Sequence, residues 1–311
     1  MRISSRTILA AVVPAAFCLA ALCTVAAPRA VAQDDQFLMP EQSAAKAKQI
    51  IGQAIEALGG NAYLNVHDVT CTGRLGTFDH SGEMTGFGRF IDYAQPPFKE
   101  RQENLPKRNI IDVYNGDKGW TLDRGGVDPA PRVDLTDFQE TIRKDIDNIL
   151  RHRIHEPGMV FRYAGPDTVD LKQADWVELI DNDNRTIRIA FSTATHLPVQ
   201  KIVDTRDPKT QMKTQEVEYF SNYHPLSGIQ TAFQIARERN GVKLFQVFFD
   251  TCEYNTNISD ALFTKESLDQ RWAQVGKKEM EKEKKKDKDK DDKSDKDKND
   301  KDDASSDRDK D

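Results

Sequence analysis

Beyond residue 68 the side chains leave a helical rhythm for a period of two, and that alternation returns, hairpin after hairpin, to residue 254. Val69, Cys71 and Leu75 alternate with Thr70, Thr72 and Arg74, the pattern of a half-buried strand. Residues 85–93 continue it, with Phe87, Ile91 and Tyr93 on one side. Residues 110–114 and 120–122 flank Asn115-Gly116-Asp117-Lys118-Gly119, a hairpin by its turn chemistry. Residues 176–180 and 185–191 pair across Asp181-Asn182-Asp183-Asn184. Residues 199–204 pair with 211–220 across Asp207-Pro208, and 230–237 with 242–254 across Asn240-Gly241. In the last strand Phe245, Val247 and Phe249 share one face while Leu244 and Phe248 take the other, which predicts a central strand covered on both sides. Residues 99–104, extended after Pro96-Pro97 and wholly polar, are expected to face water.

Amphipathic helices accompany these strands. Ser43 is the expected N-cap of the first, Ala47, Ile51, Ala54, Ile55 and Leu58 form its stripe, and Gly59-Gly60 ends it. Leu135, Phe138, Ile142, Ile146 and Ile149 predict one helix over residues 135–152, capped by Thr136 or Asp137. A short helix over residues 267–275 closes the domain. The helices need an apolar surface to cover, and a bent sheet offers a concave one. The expected fold is therefore mainly β (α+β): a curved antiparallel sheet or half-open β-barrel with covering helices.

The two ends of the chain read differently. Arg2 and Arg6 precede an apolar run over residues 8–25, and Ala30-Val31-Ala32 follows as a small-x-small cleavage pattern. This predicts a signal peptide over residues 1–32, cleaved after Ala32, and a periplasmic or secreted protein. The alternative is an uncleaved membrane anchor, which Pro14 and the cleavage pattern disfavour. Phe17 before Cys18 and Leu22 before Cys23 do not fit a lipidation signal. Residues 33–275 form the β domain. Residues 276–311 form a tail in which almost every residue is Lys, Asp, Glu, Ser or Asn, with Met280 its one large apolar residue. Nothing there offsets the entropy of ordering, so a solvated, charge-mixed coil is expected. Cell-wall or metal contact through its carboxylates is the other reading.

The formal net charge is −6, and cleavage would remove Arg2, Arg6 and Arg29, so no basic face points to nucleic acid. Of four cysteines, Cys71 and Cys252 remain after cleavage. In an oxidising compartment they are expected either to pair or to stay as two buried thiols.

Several motifs resemble LolA-like proteins, the outer-membrane lipoprotein-sorting family. They are Ala57-Leu58-Gly59-Gly60 followed by Val69-Thr70-Cys71-Thr72-Gly73, and the Val113-Tyr114-Asn115-Gly116-Asp117-Lys118-Gly119-Trp120 hairpin. Leu197-Pro198-Val199, Tyr219-Phe220-Ser221-Asn222-Tyr223, Gly228-Ile229 and the ending around Asn257-Ile258-Ser259-Asp260-Ala261-Leu262-Phe263 complete the pattern, which spans residues 44–263. The resemblance implies a half-open antiparallel barrel with helices as a lid over an apolar cavity, and carriage of lipid or lipoprotein acyl chains. Transient contact with a membrane surface is expected with it. The alternative reading is a structural or protein-interaction module of the cell envelope with a filled core, docking on an envelope protein. The charged tail departs from the family's pattern.

No catalytic motif stands out: there is no Gly-x-Ser-x-Gly elbow, phosphate-binding glycine loop or His-Glu-x-x-His. His152 and His155 near a helix end offer two metal ligands without an identifiable third, and read more simply as a basic helix terminus. Asp181 and Asp183 lack the glycine and closing glutamate of a calcium loop. No enzyme, metal or cofactor is expected. The candidate cavity or lid residues are Phe87, Trp120, Phe138, Ile142, Trp176 and Phe245, each of which ordinary core packing would equally explain.

Overall fold

Period-two alternation from residue 69 onward builds a 13-stranded antiparallel sheet in the computed structural model, which describes residues 38–206 and 211–275. The expected signal segment, the Asp207-Pro208 turn and the charged tail lie outside the described residues. The described residues all fall within the second of two compact units, Gln36–Asp311.

The first six strands are β1 (Val69–Phe78), β2 (Met84–Gln95), β3 (Lys99–Leu105), β4 (Ile111–Asn115), β5 (Lys118–Asp123) and β6 (Gly126–Pro129). The other seven are β7 (Val160–Val169), β8 (Lys172–Ile180), β9 (Thr186–Ser192), β10 (Pro198–Arg206), β11 (Lys213–Leu226), β12 (Ile229–Arg239) and β13 (Val242–Tyr254). Each strand pairs with its neighbour in sequence, except at one seam where β1 lies beside β13. There Val69 faces Tyr254 and Cys71 faces Cys252. The two cysteines form a disulfide, with S–S 2.01 Å, across that seam. Among the described residues the outermost strands, β6 and β7, do not pair, so the sheet is half-open and not a closed barrel. Register shifts at Thr72/Gly73, Tyr163/Gly165 and Arg237/Glu238 are bulges, which bend a strand and increase its twist.

Helix α1 (Pro40–Leu58) starts ahead of the expected cap, because Pro40 fits the first helical turn, where an N–H has no partner anyway. Ser43 is buried inside the helix instead, and its Oγ accepts the Tyr163 N–H at 2.9 Å, pinning α1 to β7. Gly59, with φ +130°, ends it. The stripe Ala47, Ile51, Ala54 and Leu58 packs on Val177, Leu179, Ile187 and Ile189 of β8 and β9, filling that half of the concave face. A short helix α2 (Asn61–Leu64) adds Tyr63 to the same core.

The single helix expected over residues 135–152 is two: α3 (Arg132–Lys144) and α4 (Ile146–Arg151). Asp145 separates them in an extended conformation, and its carboxylate accepts the Asn148 N–H at 2.8 Å. Aspartate competes well as an N-cap, which is why the chain restarts here rather than continuing. These helices connect one free edge of the sheet to the other. Ile149 and Leu150 of α4 join the α1 core, whereas α3 buries only Phe138.

On the convex face, α5 (Lys265–Val275) and the turn Asp260–Phe263 cover β4 and β5. Leu268 and Phe263 pack there on Ile111, Val113 and Leu122. Strand β3 does not face water on this side: Arg101 and Glu103 are buried. Arg101 Nε donates to Glu103 Oε1 at 2.6 Å, while its Nη1 donates to the Leu262 carbonyl at 2.9 Å and Ser267 Oγ at 2.8 Å.

Candidate ligand cavity

The half of the concave face that α1 does not fill holds a cavity of about 350 Å³. That is the lower end of the size range of small-molecule sites, about 300–1,000 Å³. The floor is β1 to β3 and β11 to β13, and the roof is α3 and α4. Strand alternation decides what enters. Phe245, Val247 and Phe249 of β13 point inward, as do Ile235 of β12 and Phe220 of β11. The disulfide and Tyr254 sit beside them, and Phe138, Ile142 and Ile146 hang from the roof.

Charged groups share these walls. Glu218 on β11 takes Arg237 Nε at 2.6 Å and Lys201 Nζ at 2.5 Å. Burial opposes its charge, but Lys201 and Arg237 outweigh that and hold its pKa below the usual carboxylate range. Arg151 pairs with Asp147 at 3.5 Å and lies 4.3 Å over the Tyr63 ring, whose hydroxyl donates to Asp147 at 2.8 Å. Lys99 Nζ sits 2.8 Å from Asp260. Burial lowers the His152 pKa, with Arg151 and His155 pushing the same way.

Among the described residues, Asp92 on β2 and Glu100 on β3 form no such ion pair. Asp92 Oδ1 is shielded from solvent and accepts no hydrogen bond. Burial, then the Glu100 charge, pushes the Asp92 pKa well up. Burial, then Asp145 and Asp112, raises Glu100 to about 7 despite the Arg237 charge. Burial, then Asp147, raises Asp145 to about 6. The cavity is apolar with a carboxyl-rich end at β2, β3 and the α3–α4 break.

Three of the residues singled out from sequence line this cavity: Phe138, Ile142 and Phe245. The other three do not. Trp120 packs under α5 in the convex core, because it pairs with the inward-facing Val113 of that core. Trp176 packs with Val169, Ala174, Ala190 and Val199, since alternation turns it away from the concave Val177. Phe87 is 59% exposed near the end of the β1–β2 hairpin. Sequence reasoning missed Asp92 and Glu100. Asp92 shares parity with Phe90 and Ala94, but the neighbouring Ile91 and Tyr93 marked the opposite parity as the buried one. Both faces of β2 are covered at this level: Tyr93 packs in the α5 core and Asp92 lines the cavity.

A half-open antiparallel sheet with helices laid across its concave face, over an unfilled apolar space, defines the class. No protein-family model and no curated protein matches the sequence. Among solved structures, the chain is similar to a DUF1329 family protein from Desulfovibrio piger, with 13% identity, TM-score 0.52, and 71% of this chain and 98% of that one covered. It is similar to a putative outer membrane lipoprotein-sorting protein domain from Vibrio parahaemolyticus, with 12% identity, TM-score 0.50 and coverage of 73% and 99%. Such identities speak for fold alone, and the fold is LolA-like, that of the lipoprotein-sorting domains. Among the described residues no helix is long and apolar enough to cross a membrane.

Proposed function

We propose that this protein is exported to the cell envelope and holds a hydrophobic ligand, a lipid or the acyl chains of a lipoprotein, as a carrier or sensor without catalysis. The observation that carries this reading is the apolar cavity left open between the concave face and α3–α4. A module built only to dock on a partner has no use for a cavity, since each unfilled volume in a core costs packing energy. The LolA-like fold and the signal pattern over residues 1–32 support the same reading. Binding is by desolvation, at about 0.8 kcal/mol per buried methylene, enough for a long chain to leave a bilayer for a pocket.

The roof has one firm part and one loose part. In α4, Ile149 and Leu150 are locked in the α1 core. In α3, only Phe138 is buried, stacked on Tyr114 with ring centroids 4.4 Å apart. Helix α3 is the part that moves aside for entry and release, with Asp145 as its hinge.

The test is mass spectrometry of an organic extract of the mature protein, before and after incubation with phospholipid vesicles. Lipid near one per protein supports the reading, and Val247→Trp, which fills the cavity, should abolish it. A clean extract from both samples would shift the reading to an envelope interaction module.

A further inference from the structure

Resting on the proposed function, we infer that the ligand of this cavity is a lipophilic amine: an apolar chain ending in a cationic, hydrogen-bond-donating nitrogen that docks between Asp92 and Glu100.

The cavity is not evenly furnished. Its cations are already engaged with other groups. Arg237 and Lys201 converge on Glu218, and Lys99 turns out to Asp260 at 2.8 Å. Arg151 leaves its Nε without a hydrogen bond, but Asp147 meets its charge at 3.5 Å. What remains unmet is carboxyl. Asp92 and Glu100 lie on adjacent strands, where Ala94 pairs with Glu100 and Asp92 with Gln102, so the two are diagonal neighbours on one face of the sheet. Asp92 Oδ1 is out of contact with water and has no hydrogen-bond partner.

A buried carboxyl without a partner is a costly arrangement, and natural cores rarely leave one. The cavity manages it by protonation: burial raises both acids, with Glu100 adding to the rise of Asp92, and Asp145 and Asp112 to that of Glu100, which reaches about 7. An ammonium supplies the missing complement. It offers donors to the two carboxyls and a positive charge that stabilises them as carboxylates. The apolar walls at Val247, Phe249 and Ile235 take the chain behind it. An anionic headgroup at the same place would face two acids with every nearby cation already committed. The groups facing Glu100 from other elements are Asp112 on β4, Asp145 at the α3–α4 break and Arg237 on β12. The acids among them favour a cation further.

The probes are three chains of equal length: dodecylamine, dodecanol and dodecanoate. Each is titrated below its solubility or micelle limit into the full mature protein at pH 7.5, by calorimetry. The amine is expected to bind at least about tenfold more tightly than the alcohol, roughly 1.4 kcal/mol, and to release protons from the protein, seen as a heat that depends on the buffer. Dodecanoate is expected to bind most weakly. The variant Asp92→Asn/Glu100→Gln, nearly isosteric, should keep its affinity for dodecanol and lose both the amine preference and the proton release. Equal affinity for amine and alcohol, or an unchanged preference in the variant, overturns the inference while leaving the carrier reading intact. Tighter binding of dodecanoate overturns it and assigns the headgroup to Arg151. Failure of all three chains to bind overturns the carrier reading with it.

Discussion

Strand β3 carries a carboxylate on each of its faces, and the two meet opposite conditions. Glu103 points to the convex side, 0% exposed under α5, and takes both Arg101 and Arg108. Burial works against its charge, but the hydrogen bonds from Arg108 and Arg101 prevail and lower its pKa. Glu100, three residues earlier, points into the cavity, where burial and neighbouring acids raise it to about 7. One face is a finished core in which a buried charge is fully answered. The other leaves charge and volume unanswered. Finished regions hold a fold together, and unfinished ones are where a ligand completes the structure.

The largest test of that contrast breaks the finished side. Glu103→Ala strands Arg101, whose side chain is 4% exposed, without its counter-charge. Removing one partner of a buried pair should lower the unfolding free energy by about 3–5 kcal/mol, read from urea denaturation. A loss under about 1 kcal/mol would show that the Leu262 carbonyl and Ser267 satisfy the guanidinium alone.

The seam between the two half-sheets comes next. The Cys71–Cys252 bond spans a sequence separation of 181 residues. Cys71→Ser/Cys252→Ser should lower stability by about 2–4 kcal/mol, the usual range for a disulfide and below the roughly 5 kcal/mol that loop closure alone would give. Equal midpoints for the oxidised protein and the double variant would show that the β1–β13 ladder holds the seam unaided.

A third, smaller effect belongs to the roof. Phe138→Ala removes the one buried side chain of α3 and its stack on Tyr114. It should cost about 1–3 kcal/mol, below the range for a fully enclosed phenylalanine, because α3 is a surface helix. Its sharper signature is kinetic: exchange of bound lipid with vesicles should speed up. Unchanged exchange would move the gate away from α3.

Much of this architecture was legible in residues. The alternation of Val69, Cys71 and Leu75, the Asn115-Gly116 and Asn240-Gly241 turns, and the stripe from Ala47 to Leu58 place most strands and α1 correctly. Two strands were missed. Strand β6 is four residues long, and β7 carries Gly165 and Pro166 at a bulge, so neither shows an apolar period. The candidate cavity was legible in part, because parity says which residues share a face but not which face is concave. Phe245 and Trp176 look alike as buried aromatics, yet the first lines the cavity and the second packs behind the sheet. The polar strand 99–104 misled for a physical reason: a face made of Arg101 and Glu103 is buried through pairing, which hydrophobic patterning does not register. Asp145 was invisible as a helix break because an aspartate beside an apolar stripe reads as a solvent-side residue.

The smallest effect separates the two faces most cleanly, since their acids respond to pH with opposite sign. Unfolded, Glu100 ionises near 4.5; folded, near about 7. Between those values the native state holds the extra proton, so the contribution of Glu100 is fully present below 4.5 and is lost as pH rises through about 7. Asp145 acts likewise between 3.8 and about 6. Glu103, held low by its arginines, contributes stability above its unfolded value that is lost only as pH falls through its depressed folded pKa. Stability measured by urea at pH 5, 6, 7 and 8 should therefore decline toward alkaline pH. Glu100→Gln should flatten that decline and leave the protein about 1–2 kcal/mol more stable than the parent at pH 8. Bound dodecylamine should flatten it in the same way without any mutation, because the ammonium favours the ionised carboxylate. An undiminished slope in Glu100→Gln would place the alkaline loss elsewhere and remove Glu100 from the unfinished side of the sheet.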